Sequence, residues 1–424
     1  MDGRLPGVAR DRREQVICHV DMDCFYAACE RLREPALEGE PLVVGMGYES
    51  GDTHGAVATA SYEAREFGVE SAMAISQALE LLPRRADADP DDEDIPDPEE
   101  SGFYRTVDLE YYESVASEVK DVLHDTADTV REVSVDEAYL DVTDTVDWDE
   151  AEQFGDDLKS RIESEVGVAA SVGVAPAMSA AKIASDHDKP DGLVVVEPGE
   201  VRSFLAPLPV EEVHNVGPVT ARELRSMGVE TAGDLAEADV DRLADRFGER
   251  GREIWSYARG EDERPVEPVG KPKSLSRESA FTDATADPER KRDRVRALAG
   301  DVAERARGKD ALYQTIGIKV VTPPFDVHTR AESLPGPVQD GALVEDVALD
   351  LLEEFRGDEV RKVGVRVSNL DFSDSEQTSL TGFEGADTGS SADQSNHSLG
   401  EFAGSEADGD DGPSAGQTSL GEFE

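Results

Sequence analysis

The chain has 424 residues, enough for three or four small domains and too many for one hydrophobic core. Its net charge of −53 excludes a surface that is basic throughout. The chain also contains no apolar run of about 18 residues that would predict a membrane span. Because the acids are distributed through every segment, we interpret the charge as an adaptation to molar salt, where the Debye length is about 3 Å, in a halophilic archaeon.

The first 200 residues alternate between short apolar strands and amphipathic helices. Strands are predicted at 15–20, 41–46, 55–61, 168–176 and 191–198, with a strand, turn and strand over 131–143. Helices are predicted at 24–32, 109–127 and 152–167, and helical segments around Gly68 are predicted within 64–82. The acidic, proline-bearing stretch 86–100 lacks periodicity and predicts a solvated loop. This alternation predicts an α/β or α+β sheet domain.

The pattern of predicted secondary structure changes after residue 207. Residues 208–262 predict helices joined by tight glycine turns, and 263–274 is a proline-rich linker. Strands and helices return over 275–373, with strands at 316–322 and 360–370 and a helix at 342–355. Residues 374–424 hold twelve acids and no Lys or Arg, a composition that predicts a disordered tail.

Two acidic motifs follow apolar strand residues. HVDMDCFYA offers Asp21 and Asp23, and SVDEAYLD offers Asp136 and Glu137. Carboxylates gathered at one sheet edge repel one another unless a cation lies between them, and oxygen ligands favour Mg²⁺. Two such ions about 3.5–4 Å apart support phosphoryl chemistry. The alternative, in so acidic a chain, is that these are ordinary turn residues.

Further polar groups have the spacing of a phosphate site. Thr59, Tyr62 and Arg65 are three residues apart, which predicts one helical face carrying a hydroxyl, a phenol and a guanidinium. Lys189 precedes a proline in a turn and supplies a second cation. Gly217 opens a predicted helix whose backbone N–H groups would hold a DNA phosphate.

These motifs together resemble the Y-family DNA polymerases, in particular the DNA polymerase IV (DinB) group. The matching segments are VDMDCFYAACE, GAVATASYEAREFGV, SVDEAYLDVTD, SVGVAP, AKIASDHDKPDG and the hairpin VHNVGPVT, within roughly residues 15–370. The resemblance implies a right-hand fold. Its parts would be the palm (1–32 and 107–207), fingers with an acidic insertion (33–106, insertion 86–100), helix-hairpin thumb (208–262), linker (263–274), little finger (275–373) and disordered tail (374–424).

The resemblance also implies roles for single residues. Asp21, Asp136 and Glu137, with the Met22 carbonyl, would hold two Mg²⁺ ions, whereas Asp23 would not be a ligand. Tyr26 would be the steric gate that excludes a 2′-OH, and the incoming triphosphate would bind Thr59, Tyr62, Arg65 and Lys189. The implied reaction is error-prone translesion synthesis without proofreading, in which a primer 3′-OH attacks a dNTP.

A basic island in this acidic chain predicts where DNA binds. Residues 271–330 hold thirteen Lys and Arg against nine acids. The alternative is a helix with an ordinary solvated face. The DNA-binding candidates, besides Gly217, are Lys271, Lys273, Arg277, Arg330, Arg361 and Lys362.

The tail carries a repeated Q-x-x-L-x-x-F pattern that resembles the box with which proteins bind PCNA-type sliding clamps. The candidate contacts are Gln377, Leu380, Phe383, Gln417, Leu420 and Phe423. Tethering to a clamp would raise the effective concentration at DNA. The alternative is a low-complexity duplication without a partner.

Three cysteines, Cys18, Cys24 and Cys29, form an odd set without CxxC spacing, so we expect free thiols in a reducing cytoplasm. The N-terminal segment also lacks the apolar core of a signal peptide. We expect a monomer that binds primer-template DNA and dNTPs. Two other functions stay open: a catalytically weak, clamp-recruited DNA-binding scaffold, and a two-metal nuclease or cyclase that shares the palm.

Overall fold

The computed structural model describes residues 14–45, 55–88 and 97–372. The middle of the predicted insertion 86–100 and the whole predicted tail 374–424, with its six clamp-binding candidates, lie outside the described residues. The chain divides into two compact units, with the boundary between Gly270 and Lys271. That boundary falls inside the predicted linker.

The first unit contains a central five-stranded sheet and a smaller three-stranded sheet. Its strands are β1 (Ile17–Met22), β2 (Leu42–Gly45), β3 (Val57–Ala60), β4 (Phe103–Thr106), β5 (Thr129–Glu132), β6 (Glu137–Asp141), β7 (Ala170–Ala175) and β8 (Leu193–Val195). Its helices are α1 (Phe25–Arg33), α2 (Tyr62–Glu66), α3 (Ile75–Leu81), α4 (Leu109–Thr126), α5 (Ala151–Val166), α6 (Met178–His187), α7 (Val201–Leu205), α8 (Pro218–Ser226), α9 (Ala232–Glu237), α10 (Val240–Phe247) and α11 (Glu249–Ala258).

The large sheet has the order β5-β6-β1-β7-β8, so β1 is its central strand. Strand β1 is antiparallel to both β6 and β7, and β7 is parallel to β8. Because side chains alternate along a strand, Cys18 and Val20 enter the core that includes α4 and α5, whereas Ile17 joins the core that includes α6. Asp21 has the same parity as Ile17, so it lies on the α6 face.

The small sheet has the order β3-β2-β4 and packs its own core against α2 and α3. Strand β4 was absent from the sequence prediction. The helical segments predicted around Gly68 within 64–82 correspond to α2 and α3, which are separated by a turn. The helices α8 to α11 share a core with α6 and α7. They correspond to the predicted helical region after residue 207.

The second unit is a four-stranded sheet with two helices packed on one face. Its elements are β9 (Ser274–Thr285), α12 (Pro288–Gly308), β10 (Leu312–Thr322), β11 (Asp326–Val338), α13 (Gly341–Leu352) and β12 (Val360–Asp371). The strand order is β11-β10-β12-β9, antiparallel throughout. Strands β9 and β11 were not predicted, because polar residues on the open face interrupt their apolar runs.

The mixed α/β architecture predicted from the sequence is confirmed. Among the described residues, no helix is long and apolar enough to cross a membrane. Cys18, Cys24 and Cys29 are free thiols, as predicted.

Candidate active site

Three carboxylates meet at one end of the central strand. Asp21 near the end of β1 is the cross-strand partner of Glu137, the first residue of β6. Asp136 precedes β6, and its carbonyl oxygen accepts a hydrogen bond from the Met22 N–H at 3.0 Å. All three residues are buried, with Asp21 only 3% exposed. The two acidic motifs of the sequence therefore converge on one buried edge of the sheet.

Burial makes the ionised form of these carboxyl groups unfavourable. It raises the pKa of Asp21 to about 7, an effect that Lys189 opposes and Glu137 reinforces. Burial and the neighbouring Asp21 also raise the pKa of Asp136, although the Ser134 hydroxyl donates to its carboxylate at 2.5 Å and opposes the shift. A site that holds these groups ionised requires positive charge close by.

Two lysines supply that charge in this structure. Lys182 on α6 pairs with Glu137 and lies 4.0 Å from Asp21. Lys189 lies 2.7 Å from the other Asp21 oxygen and 2.9 Å from Asp186. Burial disfavours the charge on each lysine, but the surrounding carboxylates outweigh it and raise both pKa values above the ordinary range.

Lys182 and Asp186 were missed as site residues by the sequence analysis. The signal was present in KIASDHDK, because residues four apart on a helix lie on one face and Lys189 follows one turn later.

The donor set is chemically suited to a divalent cation. Asp21, Asp136 and Glu137 offer only oxygen, the ligand type that Mg²⁺ prefers. Within the described ranges, however, no group of three carboxylate, imidazole or thiolate side chains has an arrangement that could hold a metal ion in this conformation. The lysine ammonium groups stand among the carboxylates instead, so binding a metal ion requires these ion pairs to rearrange.

Tyr26 lies in the first turn of α1 and packs against the core that includes α4 and α5. Its ring stacks on Tyr112 at a centroid distance of 4.6 Å, and the Tyr112 hydroxyl donates to Glu30 at 2.8 Å. Burial raises the pKa of Tyr26 to about 12, so its hydroxyl is protonated at neutral pH. The ring is thereby fixed in place as a flat apolar surface.

The prediction that Thr59, Tyr62 and Arg65 share one helical face was wrong. Thr59 belongs to β3, and α2 begins only at Tyr62 because the Ser61 hydroxyl caps the helix by accepting from the Ala64 N–H. Arg65 still stacks on the Tyr62 ring at 4.8 Å and donates to the Ala60 carbonyl at 3.1 Å. The three residues are neighbours across a strand-to-helix junction.

Asp23 makes no contact with the lysines described above, but it accepts several hydrogen bonds. Its carboxylate accepts from the Ser171 hydroxyl at 3.0 Å, the Tyr62 hydroxyl at 3.0 Å and the Asp191 N–H at 2.7 Å. Ser171 and Asp191 were not singled out from the sequence.

Gly217 is the N-cap residue of α8, and no side chain caps that helix. Asn215, two residues before Gly217, adopts a φ of +67°, a conformation that asparagine tolerates better than most residues. Arg250 donates to the Asn215 carbonyl at 2.6 Å. The turn before α8, in which Asn215 adopts a positive φ, therefore leaves the first N–H groups of α8 without a side-chain cap.

Several cationic candidates of the second unit already have partners. Lys362 pairs with Glu278 at 2.5 Å and Arg277 with Asp301 at 3.3 Å, while Arg330 pairs with Glu354. Arg361 stacks on Phe325 at 4.4 Å, and Lys271 lies 4.8 Å above the Phe372 ring. Lys273 is exposed.

The sequence of this chain matches known protein families and individual proteins. The impB/mucB/samB family matches residues 20–186, its C-terminal domain matches 272–380, and the IMS family HHH motif matches 198–229. DNA polymerase IV of Halobacterium salinarum is 62% identical over 386 residues, which cover 91% of this chain and 92% of that protein. DNA polymerase IV of Methanoculleus marisnigri is 40% identical over 370 residues, covering 87% and 98% respectively.

The fold of this chain also matches solved structures of Y-family DNA polymerases. A Y-family DNA polymerase chimera of Dbh and Dpo4 matches with a TM-score of 0.73 at 28% identity, covering 84% of this chain and 99% of the chimera. DinB of Sulfolobus solfataricus matches with a TM-score of 0.58 at 27% identity, with the same coverage. Fold and site thus define a Y-family polymerase, a DNA-directed DNA polymerase, rather than a nuclease or cyclase. Within that class, the chain belongs to the DNA polymerase IV (DinB) group of the impB/mucB/samB family.

Proposed function

We propose that this polymerase performs translesion synthesis, adding dNTPs to a primer 3′-OH with low fidelity and without proofreading. The observation that carries the proposal is the buried convergence of Asp21, Asp136 and Glu137 at the end of the central strand. These three carboxylates, with the Met22 carbonyl, would hold two Mg²⁺ ions. When bound, the ions supply positive charge that activates the attacking oxygen and stabilises the leaving one.

The residues around this edge bind and orient the substrates. Lys189, Arg65, Tyr62 and Thr59 offer cations and hydroxyl groups to the triphosphate, and Lys189 is freed for this role when its pairing with Asp21 is broken. The Tyr26 ring, fixed by Tyr112, lies under the sugar and rejects a 2′-OH by steric contact. Asp21, Asp136 and Glu137 are only 3–7% exposed, which limits their contact with water.

We propose that the remaining parts of the molecule bind DNA and a sliding clamp. We assign the five-stranded sheet to the palm, the three-stranded sheet to the fingers, α8 to α11 to the thumb and the second unit to the little finger. Gly217 and the little-finger cations Lys271, Lys273, Arg277, Arg330, Arg361 and Lys362 would contact the DNA backbone. The chain would act as a monomer and bind a PCNA-type clamp through its tail.

Single-nucleotide primer extension in Mg²⁺ and about 2–3 M KCl tests the chemistry. We expect the wild type to add the templated dNTP but not the rNTP, and Asp136→Ala and Glu137→Ala to be inactive. The exposed Asp144→Ala serves as the matched control and should retain full activity. If the wild type binds primer-template DNA and adds no dNTP, the proposed chemistry is wrong and a clamp-recruited scaffold is the better account.

A further inference from the structure

We propose that Asp23 is a positioning residue for the triphosphate-binding groups, holding Tyr62 and the turn that carries Lys189 in register with the sheet. This inference rests on the proposed polymerase function, because it assigns Tyr62 and Lys189 to the dNTP. Asp23 follows the metal-binding motif but reaches neither Lys182 nor Lys189 with an ion pair within 4 Å among the described residues. Its role must therefore come from the hydrogen bonds that it accepts.

The Asp23 carboxylate is buried, with the residue 6% exposed, and it accepts from three donors on three elements. The Ser171 hydroxyl on β7 lies 3.0 Å from both oxygens, the Tyr62 hydroxyl on α2 lies 3.0 Å from Oδ1, and the Asp191 N–H lies 2.7 Å from Oδ2. Hydrogen bonds to an ionised acceptor are stronger than those between neutral groups. One side chain thus joins the central sheet, the small sheet's first helix and the loop before β8.

The contact with Asp191 fixes the turn that carries Lys189. Asp191 adopts a φ of +55°, a left-handed conformation that is costly for a residue with a side chain. Its N–H is held by Asp23, and the next N–H, that of Gly192, donates to the Ser171 hydroxyl at 3.2 Å. A Cβ at Gly192 would lie 2.3 Å from the Asp188 carbonyl oxygen, so the close approach of the backbone in this turn requires glycine. Two residues before Asp191, Lys189 is therefore anchored close to the carboxylates.

The contact with Tyr62 fixes the other half of the triphosphate site. Tyr62 lies on α2, which packs on the small sheet, whereas Ser171 lies on β7 and Asp191 in the loop before β8. Asp23 therefore sets the spacing between a phenol on a helix and an ammonium group in a turn. Asp23 itself repels phosphate and is unsuited to bind it. Its effect on dNTP binding must pass through Tyr62 and Lys189.

The inference is tested by measuring the equilibrium Kd of a templated dNTP on a dideoxy-terminated primer, and the rate and KM of single-nucleotide addition on an extendable one. We expect Asp23→Ala to weaken dNTP binding by about 10–100-fold, as expected when substrate-orienting groups are displaced, while kcat changes less than KM. Asp23→Asn, which keeps an acceptor for the Asp191 N–H, should restore most of the affinity. Tyr62→Phe should add little further loss in the Asp23→Ala background.

Asp141→Ala is the matched control, because Asp141 is a carboxylate of the same sheet that accepts from the Thr143 N–H at 3.0 Å at the opposite end of β6. It should leave the dNTP Kd unchanged. Ser171→Ala gives a second variant should Asp23→Ala fail to fold, and it should weaken dNTP binding in the same direction. An unchanged dNTP Kd in the folded variants, or additive effects of Asp23→Ala and Tyr62→Phe, would overturn the inference. A wild type that binds dNTP but never extends the primer would instead overturn the proposed function.

Discussion

Each compact unit carries carboxylates held between two lysines, but the surroundings differ. In the first unit, Glu137 and Asp21 lie against Lys182 and Lys189, and the two carboxylate side chains are only 3–4% exposed. In the second unit, Glu278 lies between Lys319 and Lys362, and its carboxylate side chain is 13% exposed. Buried charges require partners, whereas charges near water can exchange one partner for another. The buried carboxylates Asp21 and Glu137 are suited to hold a cation. We expect Glu278 to set how strongly the surface that carries Lys319 and Lys362 attracts phosphate.

Lys182→Met tests the buried member of the comparison. Removing the ammonium group leaves Glu137 buried with one fewer compensating charge, so the free energy of unfolding should fall by about 3 kcal/mol. Added Mg²⁺ should recover part of that loss, since a divalent cation replaces the missing charge. Chemical denaturation with and without Mg²⁺ measures both effects.

Lys120→Met is the control for that substitution, because Lys120 pairs with Glu132 at 2.9 Å on the surface. Its cost should be below about 1 kcal/mol and insensitive to Mg²⁺. Equal losses for the two variants would contradict the distinction between a buried and an exposed pair.

Lys189→Ala separates charge compensation from substrate binding. Lys189 faces both Asp21 and Asp186, and its loss should weaken dNTP binding by about 10–100-fold, the range expected for a charge-assisted hydrogen bond of roughly 1.5–3 kcal/mol. Titration of a dNTP against the complex with a dideoxy-terminated primer gives the Kd. Affinity for primer-template DNA alone should stay within a factor of two, and a matching loss there would argue against a triphosphate role.

The sequence placed both acidic motifs beside apolar strand residues, and in the structure Asp21 lies in β1 opposite Glu137 at the start of β6. It did not predict that Lys182 would pair with Glu137, since that contact joins residues 45 positions apart and depends on how α6 packs across the sheet. The assignment of Thr59 to a helical face failed for a local reason. Spacing by three indicated a helix, but the Ser61 cap starts α2 only at Tyr62, so a strand-to-helix junction places the groups together.

Glu278→Gln tests the less deeply buried member of the comparison. The substitution adds one unit of net positive charge beside Lys319 and Lys362, so DNA affinity should rise, and the slope of log K against log salt should steepen by about 0.9. Fluorescence anisotropy with a labelled primer-template over about 0.5–3 M KCl measures both quantities. Asp301→Asn, which removes the negative charge that pairs with Arg277, the neighbour of Glu278 on β9, provides a comparison variant. An unchanged slope for Glu278→Gln would mean that this face does not meet DNA.

Gly364→Ala changes the same face without changing its charge. Gly364 on β12 is paired with Lys319 on one side and Glu278 on the other, and the Glu278 side chain crosses above it to reach both lysines. A Cβ at position 364 would lie 2.6 Å from the Glu278 Cγ, so the carboxylate must move away from the lysines. Because that side chain is flexible, stability should change by less than about 1 kcal/mol, and DNA affinity should rise by about twofold, less than for Glu278→Gln. In the Glu278→Gln background the alanine should give no further gain, since no carboxylate remains to be displaced; an equal gain there would show that the glycine acts by another route.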